Sequence, residues 1–196
     1  MVDRCGWCKD DPTYIAYHDL EWGRPLRDGR ALWELLCLEG FQAGLSWITI
    51  LRRRNHLRAA FAGFDPDVIA TWGADEVARL LDDPGIIRHR GKIEATIGNA
   101  KAWQTCEAEQ GFAALIWSYV GDTPLQGNRA TLADVPAQTP LSVQMSKDLK
   151  SRGFKFCGPT IAYAFMQAAG LVNDHMTTCH CHAGLARDGD FLRSSR

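Results

Sequence analysis

"LDDPGIIRHRGKIEATIGNA", from Leu81 to Ala100, reads as a helix, a Pro-Gly turn and a second helix. Pro and Gly are the strongest local punctuators of chain structure, and Pro84-Gly85 stops the first helix. The second continues as "GKIEATIGNAKAWQTCEAEQG", where Ile93, Ile97, Ala100 and Trp103 recur at the spacing of one helical face. "GIIRHRGKI" places an apolar pair at the turn, then Arg88, His89, Arg90 and Lys92 at the start of that helix. Free backbone N–H groups at such a turn can bind a phosphate.

The same periodicity extends in both directions. "RALWELLCLEG" offers Ala31, Leu32, Leu35 and Leu36 on one face, with Gly40 as a stop. "DPDVIATWG" opens with Asp65 as N-cap and Pro66 at the first helical position. "ADEVARLLDD" groups Val77, Leu80 and Leu81, and "FAALIWSYVG" and "SVQMSKDLKSRG" read as shorter helices. "GPTIAYAFMQAAGLV" begins with Pro159 and ends at Gly170. Strand alternation is hard to find, so the expected fold is all-α with short loops. "GDTPLQGNRATLADVPAQTPLS" is the one long irregular stretch.

The chain has 196 residues, 46% of them apolar, enough for one domain with a real core or for two small ones. Its net charge of −1 excludes a uniformly basic nucleic-acid coat. Yet "RRRNHLR" and "KDLKSRGFK" join "RHRGK" as basic runs. Charge sorted in this way fits a local nucleic-acid footprint. No secretory signal is visible, and no apolar run approaches a membrane span. The expected compartment is a reducing cytoplasm. There, clustered Cys and His point to metal before disulfide.

Such a cluster lies in "VNDHMTTCHCHAG", Val172 to Gly184, with His175, Cys179, His180, Cys181 and His182. His175 and Cys179 have the i, i+4 spacing of a shared helical face. The head of the chain supplies Cys5, Cys8 and His18. A metal bound by both ends would clamp termini that otherwise fray, and a structural zinc takes four protein ligands. Spacing leaves open which four. Cys37, Cys106 and Cys157 sit singly in apolar surroundings and read as reduced core residues.

A second cluster is aromatic. "CGWCKDDPTYIAYHDLEWG" holds Trp7, Tyr14, Tyr17 and Trp22, and "CLEGFQAGLSWITILRRR" sets Glu39 among apolar residues with Trp47 eight positions on. A carboxylate at the end of an apolar helix is disfavoured by the macrodipole. If buried, it needs a donor or a cation. Aromatic rings with one carboxylate suit a flat, cationic, hydrogen-bond-donating ligand. The plainer alternatives are aromatic core and a Glu capping a loop amide.

These motifs carry a resemblance. "RCGW", "YIAYHDLEWG", "CLEGFQAGLSWITIL", "GIIRHRGKI" and "RGFKFCGPTIAYAFMQAAGLVNDH" closely resemble the 3-methyladenine DNA glycosylase I family, the constitutive bacterial alkylation-repair enzymes of the helix-hairpin-helix superfamily. The resemblance implies an all-α helical bundle in which 1–196 form a single unit. It implies termini, about 1–25 and 170–185, joined by zinc, with 50–110 carrying the hairpin. One structural Zn2+ per chain would be held by Cys5, His18, His175 and Cys179, with Cys8, His180, Cys181 and His182 as extras to the pattern. Glu39 is implied as the carboxylate that reads the alkylated base, in the catalytic role, with Tyr17, Trp47, Trp7 and Trp22 around the base. Arg88, Arg90, Gly91 and Lys92 are implied to contact DNA. The partner would be double-stranded DNA containing alkylated bases, with free 3-methyladenine and an abasic site as products. A monomer without lyase activity, acting in the bacterial cytosol and nucleoid, completes the expectation. The leading rival is a non-catalytic, zinc-stabilised module that binds damaged DNA or a modified base. A zinc hydrolase is a weaker rival, because the tail has Asp174 but no HExxH-like frame.

Overall fold

The structure, a computed structural model, describes residues 2–185. Met1 and residues 186–196, which belong to the expected single unit, lie outside the described residues. Helices dominate. They are α1 Pro12–Leu20, α2 Gly29–Gln42, α3 Trp47–Ala60, α4 Pro66–Ile69, α5 Ala74–Asp82, α6 Arg90–Glu109, α7 Phe112–Ser118, α8 Pro140–Ser151 and α9 Pro159–Ala168. Residues 180–185 are also helical.

Their starts follow from local chemistry. Asp11 accepts from the amides of Thr13 and Tyr14 ahead of Pro12, and Asp28 accepts from Ala31 N at 2.8 Å. Asp65 accepts from Asp67 N at 2.9 Å with Pro66 at the first position, as its sequence predicts. Thr139 and Ser142 exchange hydrogen bonds at the head of α8. Each cap satisfies amides that a helix start leaves without partners.

α2 is the central element and packs against α3, α6, α7 and α9. Around it lie fully buried rings from Trp33, Phe41, Phe61, Phe64, Phe112, Phe154 and Phe165. The stripe of α6 is as expected, with Ile93, Ile97, Ala100 and Trp103 all buried. Cys37, Cys106 and Cys157 are buried and unpaired.

Three expectations need correction. Gly40 does not stop α2. The helix runs on to Gln42 and breaks at Gly44, whose φ is +80°. Gly40 is instead a contact point, because a Cβ there would meet Phe156 Cβ and O at 3.3 Å. Next, the fold is mostly rather than wholly helical. β1 Leu125–Gln126 pairs in parallel with β2 Val172–Asn173, and an isolated bridge joins Arg129 to Met176. Both strands are too short to leave an alternating pattern in the sequence. Finally, His175 and Cys179 do not share a helix. They lie in the turn after β2, held by Thr177 N donating to Arg129 O at 2.8 Å.

Candidate active site and metal cluster

A cavity of about 360 Å³ opens between the N-terminal segment, the end of α2, the start of α3 and the turn after β2. Trp7 enters from a 3-10 turn at Gly6–Cys8, Tyr14 and Tyr17 from α1, and Trp22 from the turn beyond it. Trp7 is the hub. Its ring meets Tyr14 at 5.0 Å, Trp22 at 5.1 Å and Tyr17 at 6.3 Å, all edge-on. Tyr17 meets Trp47, the first residue of α3, at 5.4 Å. Edge-on packing of this kind leaves ring faces for a flat ligand.

Glu39 lies in the last turn of α2, only 3% exposed, and lines this cavity. Among the described residues its Oε2 has no hydrogen-bond partner, and neither has the indole Nε1 of Trp47. A buried polar atom without a partner costs about 1–3 kcal/mol. Two of them on one cavity wall are explained by a ligand that supplies both a donor and an acceptor. The plainer reading of Glu39 as a loop cap therefore fails. Burial alone raises its carboxyl to about 8.

A second carboxylate on the wall is its opposite. Asp174 is fully buried, yet it accepts from Arg129 Nε at 3.0 Å, from Gln167 Nε2 at 2.9 Å and from the Tyr163 hydroxyl. This bracing ties the 125–135 segment, with the cavity residues Leu132 and Val135, to the turn after β2. Sequence reasoning missed Gln167, Asp174, Leu132 and Val135 as wall residues, and no local signal marks them. Tyr14 was legible, one helical turn from Tyr17 on α1.

Against the rear of the aromatic wall stand Cys5, His18, His175 and Cys179, all buried, with ligand atoms within 4.8 Å of one another. Cys5 Sγ to His175 Nδ1, Cys179 Sγ to His175 Nδ1 and Cys179 Sγ to His18 Nε2 each measure 3.5 Å. The outer ring nitrogens have other partners. His18 Nδ1 lies 2.8 Å from Asp19, itself paired with Arg4, and His175 Nε2 donates to the Trp22 carbonyl at 3.2 Å. The inner nitrogens face the thiols, His18 Nε2 also accepting from the Cys5 amide at 3.3 Å, and the outer partners orient both rings as they orient metal-binding histidines. Contact with Cys5, and then with His175 and His18, pulls the Cys179 thiol far down. The four residues could hold a metal ion. Cys8 stands aside, its Sγ directed to the Cys5 carbonyl at 3.1 Å. Trp22 packs edge-on against His175 at 4.5 Å and Trp7 lies 5.3 Å from His18, so this cluster buttresses the cavity.

The turn between α5 and α6 is pinned from α3. Arg53 donates to the Pro84 and Gly85 carbonyls at 3.0 and 2.9 Å, and His56 meets Asp83 at 3.0 Å. His89 caps α6 through Lys92 N at 3.2 Å. The amides of Arg90 and Gly91 have no acceptor among the described residues. Arg88 and Arg90 are exposed, the latter 3.5 Å from Glu94. Lys92 is not, which corrects its expected contact with DNA. It is 6% exposed, and its ammonium donates to the Phe41 and Ala43 carbonyls at 2.8 and 2.7 Å. Carbonyls at a helix C-terminus attract a cation, and those of α2 draw Lys92 inward.

Comparison with known proteins identifies relatives of nearly the whole chain. DNA-3-methyladenine glycosylase 1 of Escherichia coli (strain K12) is 52% identical over 184 residues, covering 93% of this chain and 98% of its own. A crystal structure of 3-methyladenine DNA glycosylase I superposes with a TM-score of 0.91 at 55% identity, covering 92% of this chain and all of the other. The Staphylococcus aureus 3-methyladenine DNA glycosylase I, solved for the structural basis of 3-methyladenine recognition, superposes with a TM-score of 0.88 at 39% identity, covering 91% and 96% of the two chains. Residues 7–182 match the methyladenine glycosylase family, and with the relatives just described they establish that the chain belongs to it.

Proposed function

We propose that this chain is a monofunctional DNA-3-methyladenine glycosylase. It hydrolyses the N-glycosidic bond of 3-methyladenine in alkylated DNA and leaves an abasic site. The observation that carries this reading is the buried, partnerless carboxyl of Glu39 beside the partnerless Trp47 indole in an aromatic cavity. Relatives named for this activity and for 3-methyladenine recognition support it.

An enzyme acting on a base must first flip it from the stack, at a cost of a few kcal/mol. Methylation at N3 puts positive charge on the adenine and weakens the bond to C1′. The rings of Tyr17, Trp47, Trp7 and Trp22 receive the cationic base, a contact of about 0.5–2 kcal/mol. Glu39 accepts hydrogen bonds from its edge, worth about 1.5–3 kcal/mol when charge-assisted. Burial raises the Glu39 carboxyl to about 8, which favours its protonated form at neutral pH when no cation faces it. A cationic base favours the ionised form and a neutral adenine does not, so the pocket discriminates by charge. The base leaves as a neutral molecule, so no strong protein acid is required, and water adds to C1′. Among the described residues the cavity lining holds no lysine, and no Schiff-base step is assigned.

DNA contact is assigned to the α5–turn–α6 unit as a helix-hairpin-helix element, through Arg88, Arg90 and the amides of Arg90 and Gly91. One structural zinc is assigned to Cys5, His18, His175 and Cys179. Tetrahedral Zn–N bonds of about 2.0–2.1 Å and Zn–S bonds of about 2.3 Å separate N and S ligands by roughly 3.5 Å, matching the three contacts measured. The chain acts as one monomeric unit on duplex DNA in the bacterial cytosol and nucleoid. No helix among the described residues is long and apolar enough to cross a membrane. Incubating methylated duplex DNA with the protein and separating the products by chromatography tests the proposal. Free 3-methyladenine is expected; tight binding with the bond intact would make the chain a damage-binding module instead.

A further inference from the structure

Four residues of the terminal clusters remain outside the buried ligand set: Cys8, His180, Cys181 and His182. Two have clear packing roles. Cys8 is directed to the Cys5 carbonyl, and His182 Nε2 lies 2.9 Å from the Gly127 carbonyl. His180 and Cys181 do not fit this pattern. His180 Nδ1 lies 2.9 Å from the Asp3 carbonyl, which can only accept, so this nitrogen carries the proton. Nε2 is then the acceptor nitrogen, and the Cys181 thiol is its donor. It lies 3.4 Å from Cys181 Sγ and 3.6 Å from Asp19 Oδ1. A backbone carbonyl that fixes the outer nitrogen is how ligating histidines are oriented. These separations are those of neighbouring ligands on one ion.

The outer group also touches the inner one. Ligand atoms of Cys179, His180 and Cys181 gather within 4.8 Å, as do those of His18, Asp19 and Cys181. The inner four are buried, whereas the His180 side chain is 38% exposed and Asp19 and Cys181 are partly so. An ion bound for the inner set must lose its water on the way, and the outer group lies between that set and solvent. Asp19 is engaged by Arg4 and His18, so His180 and Cys181 are the outer group's own ligands, and two ligands grip weakly.

We propose that His180 and Cys181, with Cys179, form a solvent-facing capture site for a soft divalent metal ion, which passes inward to Cys5, His18 and His175. This rests on the reading that the buried set holds zinc. The test uses the full chain stripped with a chelator and mixed with Co2+, following thiolate–cobalt absorption over time. A double variant, His180→Ala with Cys181→Ser, is expected to load more slowly and to reach the same final cobalt content. Equal loading rates overturn the capture site. So does a lower final content, which would put these residues in the inner set. The exchange of bound zinc for Cd2+ in the folded, loaded protein gives a second reading free of any refolding. Slower exchange in the double variant supports the proposal, and equal exchange overturns it. A wild-type chain that takes up no metal at all would instead sink the buried zinc set.

Discussion

The ammonium of Lys92 donates to the carbonyl of Phe41 at 2.8 Å, tying the first turn of α6 to the last turn of α2, two residues beyond Glu39. The helix proposed to contact DNA thereby closes the end of the helix that carries Glu39, the proposed base reader. In that proposal one buried cation joins DNA contact to base recognition.

Removing that cation should therefore disturb both. Lys92→Met keeps the stem but leaves the Phe41 and Ala43 carbonyls without this donor. A stability loss of about 1–3 kcal/mol by chemical denaturation is expected, with weaker binding of 3-methyladenine in calorimetry. An unchanged denaturation midpoint would show that the cap is immaterial.

Glu39→Gln separates charge from shape. The variant should fold and should lose most of the preference for the cationic base; unchanged 3-methyladenine binding would defeat Glu39 as the reader. The same change carries a stability signature. Folding raises this carboxyl from 4.5 to about 8, because burial penalises the charge. The folded state thus holds a proton that the unfolded chain releases. The stabilisation is complete below about 4.5 and is lost progressively as pH rises to about 8. Wild type should lose stability relative to Glu39→Gln across that window. Parallel unfolding curves at both ends of it would refute the assigned burial.

Arg88 and Arg90 should act on DNA alone. Replacing both with Gln should weaken duplex binding and lower the salt slope by roughly 1 for each phosphate no longer neutralised. Affinity for free 3-methyladenine should stay put. A parallel fall in free-base binding would mean the turn itself had been damaged.

Metal content can be read by elemental analysis for each substitution. Cys5→Ser, His18→Ala, His175→Ala and Cys179→Ser should each release the ion. Cys8→Ser, His180→Ala, Cys181→Ser and His182→Ala should retain it at equilibrium. The wrong four have been chosen if Cys8→Ser strips the metal while His18→Ala keeps it. Chelation should lower activity indirectly, because Trp7 and Trp22 rest on His18 and His175.

Most of what makes the site was legible without coordinates. Asp65 and Pro66 announce a helix start, the Ile93-Ile97-Ala100-Trp103 stripe announces a buried face, and Glu39 is conspicuous among apolar neighbours. Motif resemblance then singled out the ligand set of Cys5, His18, His175 and Cys179, which the fold brings together. The first three signals are local, set by caps, periodicity and composition, whereas the ligand set came from the resemblance.

Other features depended on partners distant in the chain. Lys92 sits in a basic run that reads as a phosphate grip, and it turns inward only because α2 presents bare carbonyls some fifty positions earlier. His175 and Cys179 converge through a turn pinned to Arg129 rather than through a helix. Asp174 looks like any acid beside a histidine until Arg129, Tyr163 and Gln167 close around it. Sequence alone nominated the candidate residues, because side-chain type sets what each can do and motif resemblance narrowed the choice that spacing left open. Tertiary structure decided which of two buried carboxylates is braced and which is left open to a ligand, because hydrogen-bond satisfaction depends on what the rest of the chain brings within reach.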